Sequence, residues 1–316
     1  MAQILPRGKG QEKQGATPIS MLSKHWIGIF FGENILRLIL TIICFFLLCT
    51  GVCFSQDTSA RYVSLAPSST EILFAIGLDK EIVGVSSYCN YPQQARLKEI
   101  VGTFSQPNIE KIVSLKPDIV FCAGIEQAPV AAQLKRLGIK VAVHEPKNIK
   151  ELLDSIKEIG GLTAKQAQAE ELVKKMQQTI QEVNAKAAAI PLEQRPWVFV
   201  EYWNNPLMTA GPGSFIDELI TLAGGRNIAY DAPRAYCNFS PEEVLSRNPG
   251  CIILAYMVSG DAATTLTHRL GWSALSAVKN KRVYSDINPD LLLRPGPRIV
   301  EGLRQVHIRL YPQDKP

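Results

Sequence analysis

Thr163-Ala-Lys-Gln166-Ala-Gln-Ala-Glu-Glu-Leu172-Val-Lys-Lys-Met176-Gln-Gln-Thr-Ile180-Gln-Glu-Val183-Asn-Ala-Lys-Ala187-Ala-Ala-Ile190-Pro191 reads as one unbroken helix, and its two flanks repeat one another. Thr163 and Gln166 fit a capping box. Leu172, Met176, Ile180, Val183 and Ala187 recur at spacings of three and four as an apolar stripe, and Pro191 closes the run. At about 1.5 Å per residue the stretch would span about 42 Å, more than one lobe needs for its own packing. It reads as a strut over 163–190; the plainer alternative is a long surface helix inside a single domain.

The flanks favour the strut. Asn108-Ile-Glu110-Lys-Ile112-Val113-Ser114-Leu-Lys-Pro117-Asp-Ile119-Val120-Phe121 recurs 132 residues later as Ser240-Pro-Glu242-Glu-Val244-Leu245-Ser246-Arg-Asn-Pro249-Gly-Cys251-Ile252-Ile253. Each copy has an N-cap residue, a glutamate at the second helical position, an apolar pair, a serine, a proline that ends the helix and a buried-strand run. The pattern predicts an α/β protein of two Rossmann-like lobes, 56–162 and 191–316, with parallel sheets joined by one long backbone helix.

Further along each lobe, strands alternate with helices, as a parallel sheet covered on both faces requires. Tyr62–Leu65 reads as the first strand, and Ser68-Ser-Thr-Glu71 as a capping box opening the first helix. Strands at 82–85, 118–122 and 140–143 follow, with helices near 109–115 and 127–137 and another opened by Asn148. The second lobe starts with the strand Trp197–Glu201, a loop Tyr202–Pro206 and a helix over 214–223. Near its end come the capping pair Ser240 and Glu243 and the arginine-bearing stretch Arg294-Pro-Gly-Pro-Arg298.

The 316 residues carry 46% hydrophobic content and a formal net charge of +5. Leu38–Phe54 is almost wholly apolar, follows Lys24, His25 and Arg37, and ends in Cys53-Phe-Ser55, so residues 1–55 read as a signal peptide with Met21 a possible true start. Export is the consequence, and a retained membrane anchor is the alternative. Without residues 1–55 the chain keeps 29 Lys/Arg against 27 Asp/Glu. That balance, with no basic stripe, argues against nucleic acid as a partner. Cys89, Cys122, Cys237 and Cys251 remain, without metal-ligand spacing. Cys122 and Cys251 read as strand packing residues, whereas Cys89 and Cys237 fall in loops where an exported protein could pair them.

In open α/β sheets, ligands bind beyond the carboxyl ends of the strands. There the loops are rich in rings: Tyr88, Tyr91 and Phe104 in the first lobe, Tyr202, Trp203, Tyr236 and Phe239 in the second, with Asp286 beside a later strand. Aromatic faces at a lobe interface suit a large, flat, partly apolar ligand. Catalytic motifs are missing: Gly211-Pro-Gly213 is interrupted by its proline, and no Walker loop, HExxH or GxSxG occurs. His144 ends a strand and reads as a satisfied structural histidine. The chain therefore reads as a binding protein, not an enzyme, with no catalytic residues, metal or cofactor.

Ser64-Leu-Ala-Pro-Ser-Ser-Thr-Glu71, the Asn108–Val120 unit and Arg294–Arg298 resemble the marks of periplasmic binding proteins of the helical-backbone class, which serve ABC importers of cobalamin, haem and iron siderophores. The resemblance covers about Arg61 to Leu310. Within the class, Val83-Gly-Val-Ser-Ser-Tyr-Cys-Asn-Tyr-Pro92 is similar to the vitamin B12-binding members. It implies cobalamin as the transported ligand, stacked on Phe104 and Tyr202 with Tyr88, Trp203, Tyr236 and Asp286 around it. It also implies a monomer that docks Glu110 and Glu242 on the two permease subunits. Departures count as well. Thr103 stands where haem-binding relatives commonly have an iron-ligating tyrosine, Ala123 where relatives can have a tryptophan, and Ala223 where a family cysteine can occur. A ferric siderophore stays open as cargo, because Arg294 and Arg298 could face an anionic chelate.

Overall fold

The computed structural model describes residues 59–256 and 266–314. The expected leader lies outside the described residues. So does 257–265, which follows the strand Cys251–Leu254.

The first lobe is built on a parallel sheet. Its strands are β1 (Tyr62–Ser64), β2 (Ile82–Val85), β3 (Ile119–Cys122) and β4 (Lys140–Val143), in the order β2-β1-β3-β4. Around them run α1 (Pro67–Ala75), α2 (Ile109–Ser114), α3 (Ala128–Arg136) and α4 (Ile149–Leu162). β1 and β3 are buried along their whole length, as strands covered on both faces must be. Val63, Val101, Ile112, Val120 and Leu134 fill one of the cores so formed.

The long helix begins later than its sequence suggests. Thr163 closes α4: its Oγ1 donates to the Ile159 carbonyl at 2.7 Å, and Ala164 then turns the chain with φ 55°. The helix itself, α5 (Gln166–Ala188), has 23 residues and no side-chain cap, so it spans about 35 Å. The Thr-x-x-Gln signature opens no helix here, since a threonine can equally return its hydroxyl to the preceding turn. The buried stripe is displaced as well, to Ala169, Val173, Met176, Thr179, Val183 and Ala187, with Leu172 and Ile180 only partly covered. α4 and α5 pack closely because Gly160 has no side chain where Ala169 approaches.

The second lobe departs from an all-parallel sheet. Its strands are β5 (Trp197–Asn204), β6 (Leu207–Ala210), β7 (Arg226–Asn227), β8 (Tyr236–Asn238), β9 (Cys251–Leu254) and β10 (Val283–Tyr284). β10, β9, β5 and β7 are parallel, whereas β5–β6 and β6–β8 are antiparallel. The expected aromatic loop, Tyr202–Pro206, is the end of an eight-residue strand and the tight turn at Asn205-Pro206 that folds it back. A short turn permits an antiparallel return where a parallel strand would need a crossover. The helices here are α6 (Phe215–Leu222), α7 (Pro241–Arg247), α8 (Ser276–Lys279), α9 (Asp290–Leu293) and α10 (Ile299–Leu310). α5 packs against α4 on one side and against α6 and α10 on the other, and one continuous core runs through these helices.

The internal repeat holds in backbone terms. α2 and α7 are capped by Asn108 and Ser240 side chains, and each is followed by a left-handed residue just before its proline, Lys116 at φ 47° and Asn248 at φ 42°. β3 and β9 then start at the same offset. The caps differ in detail. Ser240 Oγ accepts from the Glu242 and Glu243 N–H groups, but Glu243 sends its carboxylate to Arg247 at 2.6 Å, and it is the Glu242 carboxylate that accepts the Ser240 hydroxyl. The capping box expected for Glu243 is therefore not formed.

All four described cysteines are free thiols. Cys89 is buried beneath α1, where Thr70 Oγ1 donates to its sulfur at 3.1 Å, and burial pushes its thiol up. Cys237 lies half-buried on β8.

Candidate functional site

The carboxyl ends of β1, β3 and β4 open into a groove of about 500 Å³, closed on its far side by α9 and the chain just after it. From the first lobe it is lined by the start of α1 (Pro67, Ser68), the turn Ala123–Glu126 after β3, and His144–Pro146 after β4, with Phe104 beside them. Asp290, Leu293, Arg294 and Pro295 come from the second lobe. The location is the one that strand polarity dictates.

One buried side chain sets the first wall. Gln127 is fully buried; its Nε2 donates to the carbonyls of Phe104 at 2.8 Å and Leu65 at 3.1 Å, and its Oε1 accepts from Ala123 N at 2.9 Å. Three cleft segments are thereby tied to a single amide. Ile125, on the turn so held, is an isoleucine left 81% exposed at the groove. A lone glutamine before an apolar helix gives no signal of this role in sequence.

The two lobes are bolted together by Glu71. This buried α1 carboxylate accepts from Arg298 Nε at 2.9 Å and Nη2 at 2.6 Å, and from Arg294 Nη1 at 2.9 Å. Arg294 also donates to Asn90 Oδ1 at 2.9 Å and pairs with Asp290 at 3.0 Å, while the Arg298 guanidinium lies 3.8 Å over the Tyr91 ring. Gly296 leaves room for this arrangement, because a Cβ there would lie 3.2 Å from the Glu71 carboxylate and crowd the ion pair. Two readings are corrected at once. α1 starts on Ala66 with Pro67 at its first position and no side-chain cap, so Ser68–Glu71 is no capping box. Arg294 and Arg298 are neutralised inside the protein and do not wait for an anionic chelate.

A second buried carboxylate, Glu201, ends the buried part of β5. It accepts from Arg269 Nη1 and Nη2, both at 2.7 Å, and from Tyr256 Oη at 2.6 Å. Burial and the adjoining carboxylate push the Tyr256 hydroxyl far up. Arg269 in turn lies 4.5 Å over the buried Trp272 ring.

His144 is not a satisfied histidine. Its ring stacks near Phe121 at 6.5 Å, its Nε2 is 3.3 Å from Glu158 Oε2, and neither ring nitrogen makes a hydrogen bond among the described residues. Burial lowers its pKa, which keeps the imidazole neutral.

Of the ring residues expected at the ligand, Phe104 lines the groove. Tyr202 and Tyr236 meet edge-on at 5.5 Å on the β5–β6–β8 extension, where Trp203 is half exposed and donates to the Asn205 carbonyl at 2.9 Å. Tyr88 is exposed on the loop after β2. Asp286 faces Arg309, with contacts of 2.6 and 3.2 Å that hold its carboxyl below the usual range, and is already paired on the surface. Glu110 and Glu242 are both exposed at the second residues of α2 and α7; Glu110 has no side-chain partner among the described residues.

A family model described as periplasmic binding protein matches residues 63–288. An uncharacterised ABC transporter substrate-binding lipoprotein of Bacillus subtilis (strain 168) is 34% identical over 80% of this chain and 80% of its own length. Among solved structures, the periplasmic vitamin B12-binding protein of Vibrio cholerae is 31% identical with a TM-score of 0.68, covering 81% of this chain and 98% of that one. A possible iron-binding periplasmic protein of Staphylococcus epidermidis ATCC 12228 is 30% identical with a TM-score of 0.71, covering 79% and 98%. Periplasmic haem-binding proteins are matched as well.

Proposed function

The chain belongs to the periplasmic binding protein family, and on that premise we propose that it is an exported receptor for a corrinoid of the cobalamin type, which it hands to an ABC importer. Proteins of this family bind and deliver, and are not enzymes. The observation that carries the corrinoid reading is the groove itself. It lies between two lobes, has apolar faces at Phe104, Ile125 and Leu293, and among the described residues offers no arginine that is not already neutralised. An amide-fringed macrocycle with apolar faces suits such a surface, and the relatives that bind vitamin B12 support it. Phe104 and Tyr202 would stack on the ring, with Tyr88, Trp203, Tyr236 and Asp286 as outer contacts.

One observation favours haem as a second reading: a periplasmic haem-binding protein of Pseudomonas aeruginosa is 28% identical over 81% of this chain. Titrating the purified protein with cyanocobalamin, haemin and a ferric siderophore separates the readings. Saturable binding of cyanocobalamin alone supports the corrinoid. Saturable binding of haemin with a haem absorption band, and none of cyanocobalamin, would replace it.

Delivery is assigned to Glu110 and Glu242, one on each copy of the repeat. Replacing both with alanine should abolish complex formation with the permease while ligand affinity is unchanged; undiminished uptake by the double variant would reduce them to helix-start residues. Export is assigned to residues 1–55, with the mature chain beginning near Gln56. Amino-terminal sequencing of native protein tests this, and a chain still carrying residues 21–55 would be membrane-anchored instead.

A further inference from the structure

The groove's charge is more telling than its shape. Arg294 has its Nη1 engaged by Glu71 and Asn90 and its Nη2 by Asp290, so that guanidinium carries no uncompensated charge into the cleft. His144 is neutral. No lysine lines the groove among the described residues. Two carboxylates remain, Glu126 and Glu145; both are exposed, and neither has a hydrogen bond or ion pair among the described residues. They share one wall, since the Glu145 carboxylate lies over Gly124, 3.6 Å from where a side chain there would begin. The start of α1 lines the same groove; Pro67 has no N–H, and the N–H groups that follow it have no side-chain cap. A helix start supplies about half a unit of positive charge, less than the two carboxylates carry.

We propose that Glu126 and Glu145 make this groove selective for ring substituents that are amides and against the same substituents as carboxylates. An amide satisfies both features: its N–H groups donate to Glu126 or Glu145, and its carbonyl accepts from the α1 start. A carboxylate has no N–H to donate and brings like charge against the pair. The groove therefore takes amidated macrocycles and rejects acid-bearing ones, whichever metal sits at the centre. This inference rests on the groove being the corrinoid site.

The test compares cyanocobalamin with its three peripheral monocarboxylic acids, each bearing one side-chain amide hydrolysed to an acid on an unchanged ring. At neutral pH and low salt, at least one acid should bind about tenfold more weakly than the parent, as like charges separated by several ångströms at a partly wet surface imply. The difference should shrink with added salt and collapse in the Glu126→Gln plus Glu145→Gln variant, in which cyanocobalamin itself also binds more weakly because its N–H groups lose charged acceptors. Equal binding of all three acids by the wild type would overturn the selectivity and leave the corrinoid reading standing. Discrimination that persists in the double variant would overturn the role of the two glutamates. Failure of cyanocobalamin itself to bind would sink the reading of the groove and this inference with it.

Discussion

Each lobe buries one carboxylate, Glu71 on the first helix of one and Glu201 on the first strand of the other, and the two are used in opposite ways. Glu71 reaches out of the first lobe to Arg294 and Arg298, residues more than two hundred positions away, and so joins the lobes. Glu201 stays at home, holding Arg269 and Tyr256 within the second lobe. A duplicated fold need not duplicate its ion pairs: one copy here commits its buried charge to the relation between lobes, the other to its own architecture. Large hinge motion is correspondingly disfavoured, because opening the cleft would strand a buried carboxylate.

The contrast can be broken by substitution. Glu71→Ala leaves two part-buried guanidinium groups without their anion and should cost about 3–5 kcal/mol in denaturant unfolding. Amide exchange should then rise in both lobes, around α1 and around α9. Glu201→Ala should cost somewhat less, about 3 kcal/mol, because it releases a single arginine that can reach water, and its exchange signature should stay in the second lobe. If both variants loosen the same segments, the division between a joining and a local carboxylate is wrong.

How much of this is legible in the sequence depends on the range of the signal. The repeat is readable because caps and proline stops act over a few residues, and Asn108, Ser240, Pro117 and Pro249 do as their chemistry dictates. Ser68–Glu71 and Thr163–Gln166 mislead for the same reason: a local signature fits a capping box, but the local use loses to a distant one for Glu71 and to the preceding helix for Thr163. The second sheet's antiparallel strands are hidden because Asn205-Pro206 announces a turn and not the direction of the next strand. Gln127 is invisible, since its three partners come from separate cleft segments. The ring residues stand out in sequence, yet sequence does not say that Phe104 lines the groove or that Tyr202, Trp203 and Tyr236 lie on strands.

Smaller effects sharpen the comparison at the ligand. Phe104→Ala and Tyr202→Ala, one from each lobe, should each weaken cobalamin binding by about 1–3 kcal/mol with little change in the unliganded melting temperature. A fall in melting temperature without a selective loss of affinity would mark them as packing residues. His144 gives the mildest effect and one with a definite sign. Its folded pKa lies below its ordinary value of 6.5, so the unfolded chain takes up more protons as pH falls through that value. The stability contribution is full above pH 6.5 and is lost progressively below it. Unfolding followed from about pH 7.5 to about pH 5 should show that loss in the wild type and a smaller one in His144→Gln; equal slopes would mean that the ring titrates as if exposed.

The central claim is that the groove between the lobes holds a corrinoid, and equilibrium binding of cyanocobalamin to the protein lacking residues 1–55, repeated with Phe104→Ala, tests it most directly. Saturation at one cobalamin per chain, weakened in the variant, is the predicted result. Absence of saturable binding, or binding indifferent to Phe104, would contradict it.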